Sequence, residues 1–162
     1  MLDKNFFDRS TEASRLKARI VTKYFYGWAT ALKKHVRTRE NKLAYFDLFA
    51  GPGHYKEDGV MSTPLLVLES IIRHEDLREI VVPIFNDGSK TNVTALRSAI
   101  KDLPGIDSLR YYPKVTNNTV DQDFADYFMK TNMVPTLLFV DPWGVQRVVS
   151  GIDLVCSAKL GI

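Results

Sequence analysis

Cysteine is nearly missing from this chain. One thiol, Cys156, in 162 residues excludes an internal disulfide and a cysteine-based zinc cage, and its apolar neighbours predict a small buried side chain. Histidine is also scarce, with three in all. His35 has no second histidine near it in sequence, so it reads as a surface residue beside a helix end rather than a metal ligand, and no metal site is expected. No apolar run is long enough to span a bilayer. The opening MLDKNFFDRSTEASR contains acids and no apolar centre, unlike a secretory signal, and a cytoplasmic protein is the expectation. Repeats and low-complexity segments are absent.

The net charge is only +3, but it is unevenly spread. Residues 1–42 hold eleven Lys and Arg against four Asp and Glu, so this part carries +7 and the remainder −4. A basic amino-terminal element suits phosphate contact. It equally suits a solvated helix face. Hydrophobic content of 45% and charged content of 25% are ordinary globular values, and the length fits one core.

Along the chain, helical and strand patterns alternate. Residues 12–36 read as one amphipathic helix, with Leu16, Ile20, Tyr24, Trp28 and Leu32 at every fourth position and Val21 and Phe25 widening a stripe expected to pack on a sheet. Residues 43–46 read as a buried strand, ending at Asp47 and followed by a Gly51-Pro52-Gly53 turn. Thr63 is the expected N-cap of the next helix, with Pro64 as its first residue. Strands are expected at 79–85, 109–115 and 135–140, and helices at 90–101, 121–130 and 151–160. Pro83 lacks a ladder donor, which points to an edge or bulge. The organisation expected is a basic helix region at 1–42 and a Rossmann-like α/β domain at 43–162. Its sheet should be doubly wound and mostly parallel. Such sheets bind ligands beyond the carboxyl ends of their strands, where strand order reverses.

Two loops carry the chemistry. The first, Asp47-Leu48-Phe49-Ala50-Gly51-Pro52-Gly53, resembles the first motif of S-adenosylmethionine-dependent methyltransferases, D-x-F-x-G-x-G. A plain glycine turn is the competing reading. The third glycine of a dinucleotide fingerprint is missing, with Lys56 in its place, which disfavours a Rossmann dehydrogenase. The second loop, Asp141-Pro142-Trp143-Gly144, resembles the D/N-P-P-Y/F/W motif of amino-group methyltransferases, where an acid or amide and a proline carbonyl accept hydrogen bonds from the target amine. The competing reading is a helix-capping Asp141 and a core Trp143. A cytosine-carbon methyltransferase would need a Pro-Cys nucleophile, and Pro142 precedes Trp143. Asp87, at the end of the second strand, is either the acid that holds ribose hydroxyls or a turn-capping residue.

Together with Lys23-Tyr24-Phe25-Tyr26-Gly27-Trp28 and Ser62-Thr63-Pro64, these loops resemble the three-Cys-motif partner family of bacterial proteins, similar to class I methyltransferases. The resemblance spans nearly the whole chain. It implies the class I methyltransferase arrangement, with strand order 3-2-1-4 and S-adenosylmethionine as cofactor. Asp47, Phe49, Ala50, Gly51 and Gly53 are the implied cofactor-loop positions, Asp87 the ribose acid, and Asp141, Pro142 and Trp143 the reaction-side loop. Against that family the chain is expected to lack carboxyl-terminal strands, leaving a truncated domain or one completed by a second subunit. The functions expected are methylation of an amino group on nucleic acid, which the basic helix would contact, or a non-catalytic module acting with a three-cysteine, radical-S-adenosylmethionine-like partner protein.

Overall fold

The computed structural model describes residues 9–36 and 41–141. Its centre is β1 (Leu43–Asp47), every residue of which is buried. Apolar side chains alternate across the pleat. Leu43 and Tyr45 enter one core cluster, and Phe46 enters the other, because successive residues of a strand face opposite ways. β1 is flanked by β2 (Val81–Asn86) and β4 (Thr136–Phe139), and β3 (Lys114–Thr116) lies outside β2. The order is therefore β3-β2-β1-β4, with every pairing parallel. The expected strand order is present, and among the described residues β1 and β2 are the strands paired on both sides. The helix expected at 151–160 lies outside the described residues, as does Cys156.

Helices cover both faces. α1 (Glu12–Val36), α2 (Thr63–Arg73), α3 (Glu75–Ile80) and α4 (Lys90–Lys101) pack on the Tyr45 side. α5 (Gln122–Lys130) lies on the other, where Phe124 and Phe128 meet Phe46. Phe25 of α1 stands edge-on to Tyr45, ring centroids 5.3 Å apart, so α1 shares the core of the α/β unit. Among the described residues no helix is long and apolar enough to cross a membrane.

The structure departs from expectation in several places. The stripe of α1 is the first. Leu16, Ile20 and Tyr24 are 56%, 58% and 64% exposed, whereas Ala18, Phe25, Ala29 and Val36 are buried. A helix turns about 100° per residue, so a line drawn through every fourth position drifts about 40° at each step. It starts on the outer face at Leu16 and reaches the core only at Trp28 and Leu32.

The second departure is at 79–85. Glu79 and Ile80 end the short helix α3, and the strand starts at Val81. The third concerns Pro83, which sits in an internal strand opposite Tyr45. Asn86 C=O accepts from Ala50 N–H on the β1 side, and Asp87 N–H donates to Thr116 C=O on the β3 side. Alternation then points the nitrogen of Pro83 toward β3, and the β2–β3 ladder begins only after it, at Ile84 and Lys114. The missing donor thus faces an unpaired position. The same fact, with Pro113 beside it, explains why the strand expected at 109–115 is cut to Lys114–Thr116. Last, the N-cap of α2 is Ser62, one residue earlier than expected, and its hydroxyl donates to Gly53 C=O (3.0 Å) instead of capping.

Candidate functional site

The site grows from the carboxyl end of β1. Leu48 N–H donates to Phe139 C=O (3.1 Å) and Ala50 N–H to Asn86 C=O (2.9 Å). The chain leaving β1 is therefore tied first to β4 and then to β2. Gly51 and Gly53 take φ values of 72° and 91°, the left-handed region that favours glycine. A Cβ on Gly53 would also lie 3.1 Å from Leu96 Cδ1 and 3.3 Å from Ala99 Cβ. Gly53 is thus required by the packing of its turn against α4 and does not line the cavity.

Behind the turn stands Asp87. Its Oδ2 accepts from Gly51 N–H (2.9 Å), and its Oδ1 accepts from Ser89 N–H (2.8 Å) and Asn92 Nδ2 (3.2 Å). One carboxylate therefore fixes the glycine turn and the start of α4 together. Next to it, fully buried Asn86 donates to Leu48 and Asn118 carbonyls and accepts from Thr116 Oγ1 and Asn118 N–H. Sequence reasoning missed this clamp, for which the only signal was an amide beside Asp87.

In front of the turn is a cleft that opens to solvent. Four of the expected residues line it: Asp47, Phe49, Ala50 and Asp141. Tyr55 and Ser62, from the loop His54 to Ser62 that the sequence offers as a cover for the ligand, also line it, and so do Ser14 and Lys17 of α1, Thr63 and Phe139, which were not expected. Tyr55 is carried by the 53–62 excursion, which folds back on itself through the His54–Met61 bridge and the Ser62 N–H bond to Gly53 C=O (2.8 Å). Gly51, Gly53 and Asp87 support the cavity from behind. Pro142 and Trp143 lie outside the described residues.

Asp47 is the floor, 1% exposed. Its Oδ1 accepts from Phe49 N–H (3.1 Å). Its carboxyl is raised to about 8: burial is the largest cause, the Phe49 hydrogen bond lowers it, the Asp141 and Asp87 carboxylates raise it, and Lys17 lowers it. Lys17 Nζ pairs with Asp141 Oδ2 across the cavity mouth, joining α1 to the end of β4. Among the described residues no group of His, Cys, Asp and Glu side chains could hold a metal ion.

No family model, curated protein or solved structure matches the chain. The reading of the site therefore rests on its own geometry. That geometry provides a crevice where strand order reverses, a buried carboxyl able to ionise against a cation, an aromatic side chain on the wall and a second carboxylate at the mouth. Such a set fits a ligand with a positively charged centre and an apolar or aromatic body.

Proposed function

We propose that this chain is a class I methyltransferase-like protein, with S-adenosylmethionine held beyond the carboxyl ends of β1 and β4 and an amino nitrogen, on a nucleic-acid base, as the methyl acceptor. The observation that carries this reading is the cavity at the β1–β4 crevice, floored by buried Asp47 and bordered by Phe49, Ala50 and Asp141. Parallel α/β sheets bind ligands at that reversal of strand order. A sulfonium and an ammonium near Asp47 would favour its ionised form and offset the cost of its burial. When bound, the cofactor supplies the methyl group, and the chain supplies position. Asp141 accepts from an amine N–H and so aims the nitrogen lone pair, the kind of orientation that provides much of the rate in such transfers. Pro142 and Trp143 are assigned to the same loop. Asp87 braces the glycine turn, and its bonds to Gly51, Ser89 and Asn92 leave one lone pair, on Oδ2, to which the ribose-acid role is assigned.

Calorimetric titration with S-adenosylmethionine and S-adenosylhomocysteine tests the reading. Saturable binding is expected, weakened by Asp87→Ala. Asp141→Ala should keep cofactor binding and lose methyl transfer to an oligonucleotide amine. A wild-type chain that binds neither nucleoside overturns it.

The exposed line of Leu16, Ile20 and Tyr24 on α1 favours a second reading. In it the chain is a non-catalytic module that works through association, with a three-cysteine-motif protein or with a second copy of itself. Cofactor binding without transfer to any amine, together with a sedimenting complex broken by Ile20→Glu, would select it.

A further inference from the structure

Ser14 and Lys17 are one turn apart on α1 and reach the same cavity. Lys17 is the basic side chain of a lining whose other charged groups are Asp47 and Asp141. An anionic group entering this space without Lys17 would meet the Asp141 carboxylate in a partly desolvated setting, where like charges repel strongly. With Lys17 present, it meets a cation on a flexible four-carbon stem. The Lys17 side chain is 40% exposed and that of Asp141 27%, so the pair is held at the rim of the cavity, where an entering ligand can compete for it. Resting on the cofactor reading above, we propose that Lys17 is a specificity residue that recognises the carboxylate of the cofactor's amino-acid end, while Asp47 takes the neighbouring ammonium. One ion pair is exchanged for another: Lys17 leaves Asp141 for the ligand carboxylate. Asp141 is then released to accept from the acceptor amine. Cofactor therefore binds before acceptor, and the unliganded pair masks the reaction-side acid.

The test compares S-adenosylhomocysteine with its decarboxylated analogue, S-adenosyl-3-thiopropylamine, which keeps the ammonium and lacks the carboxylate. Binding of both is measured by calorimetry. Wild type should prefer the carboxylate-bearing ligand, and Lys17→Met should erase that preference by weakening S-adenosylhomocysteine roughly ten-fold or more, the scale of a charge-assisted hydrogen bond. Lys17→Arg should preserve most of it. The double variant Lys17→Met/Asp141→Asn separates contact from mere neutralisation. If Lys17 touches the carboxylate, the preference stays lost; if Lys17 only cancels the charge of Asp141, the preference returns and the inference is overturned. A preference retained in Lys17→Met overturns it as well. A wild type that binds neither ligand overturns the cofactor reading itself, a result distinct from the other two.

Discussion

At the scale of single residues, Asp47 is a buried acid held far from its ordinary titration range. An unfolded aspartate titrates near 4, and in the folded chain this one is raised to about 8, with burial as the largest cause. Between those values the folded state keeps a proton that the unfolded state has released. Stability from this group is therefore fully present below about pH 4 and falls as pH rises through 8, with a slope approaching about 1.4 kcal/mol per pH unit in between. Urea unfolding from pH 5 to 8 should show this decline in wild type and a flatter profile in Asp47→Asn; parallel profiles would refute the assignment. The same linkage makes binding of a cationic ligand beside Asp47 release a proton, so affinity for S-adenosylhomocysteine should rise from pH 6 toward pH 8. Tyr45 makes a second point. Its Oη is buried with no hydrogen-bond partner, a cost of about 1–3 kcal/mol for a stranded polar group. Its ring, however, packs edge-on against Phe25 and Phe85. Tyr45→Phe keeps the ring and removes the cost, so the urea midpoint should move up, by about 1 kcal/mol of stability. A clear loss would mean that the hydroxyl has a partner after all.

At the scale of elements, α1 shows why periodicity places a helix well and its faces less well. Its limits coincide with the apolar and charged pattern of 12–36, but the eye follows every fourth residue whereas the helix closes at 3.6. The buried line runs instead through Ala18, Phe25, Ala29 and Val36, where two small residues admit α1 close to its neighbours. Phe25→Ala should cost about 3–5 kcal/mol, as buried aromatic truncations do, and Leu16→Ala should change stability by less than about 0.5 kcal/mol, as surface substitutions do. Chemical denaturation of both variants checks the assignment, and equal losses would reverse it. Strand β1 and its glycine turn were legible because a buried parallel strand writes a continuous apolar run and the turn writes its own glycines. α3 was not: six residues, Glu75–Ile80, give too short a period, and the apolar end runs straight into β2. The length of β3 was hidden for another reason. It depends on which neighbour Pro83 faces, and that is a property of the assembled sheet.

At the scale of the whole molecule, sequence located the parts of the site that lie in one loop and missed those brought by distant elements. Asp47, Phe49 and Ala50 reach the cavity along with Asp141, whereas Lys17 and Ser14 arrive from a helix whose packing only the fold determines. The same assembly decides what becomes of the amino-terminal charge. Lys17 is engaged with Asp141, and Lys33 pairs with Asp76 of α3. Arg15, Arg19, Lys23 and Lys34 are exposed along α1, the first three interleaved in sequence with Leu16, Ile20 and Tyr24. Arg37 and Arg39 lie outside the described residues. If the acceptor base is delivered on a nucleic acid, this outer face is the cationic surface nearest in the chain to the cavity-lining Ser14 and Lys17. Each phosphate contact adds nearly one to the slope of log affinity against log salt. The double substitution Arg19→Ala/Lys23→Ala should therefore weaken oligonucleotide binding at low salt and flatten that slope by about two. Because both side chains are exposed, the melting temperature should stay close to that of wild type. Lys33→Ala provides the contrast: it breaks the link to α3, so it should lower stability and leave the salt slope nearly unchanged. A slope that ignores Arg19 and Lys23 would remove nucleic acid from this face and leave the apolar line as its only unexplained feature, with a protein partner as the remaining explanation.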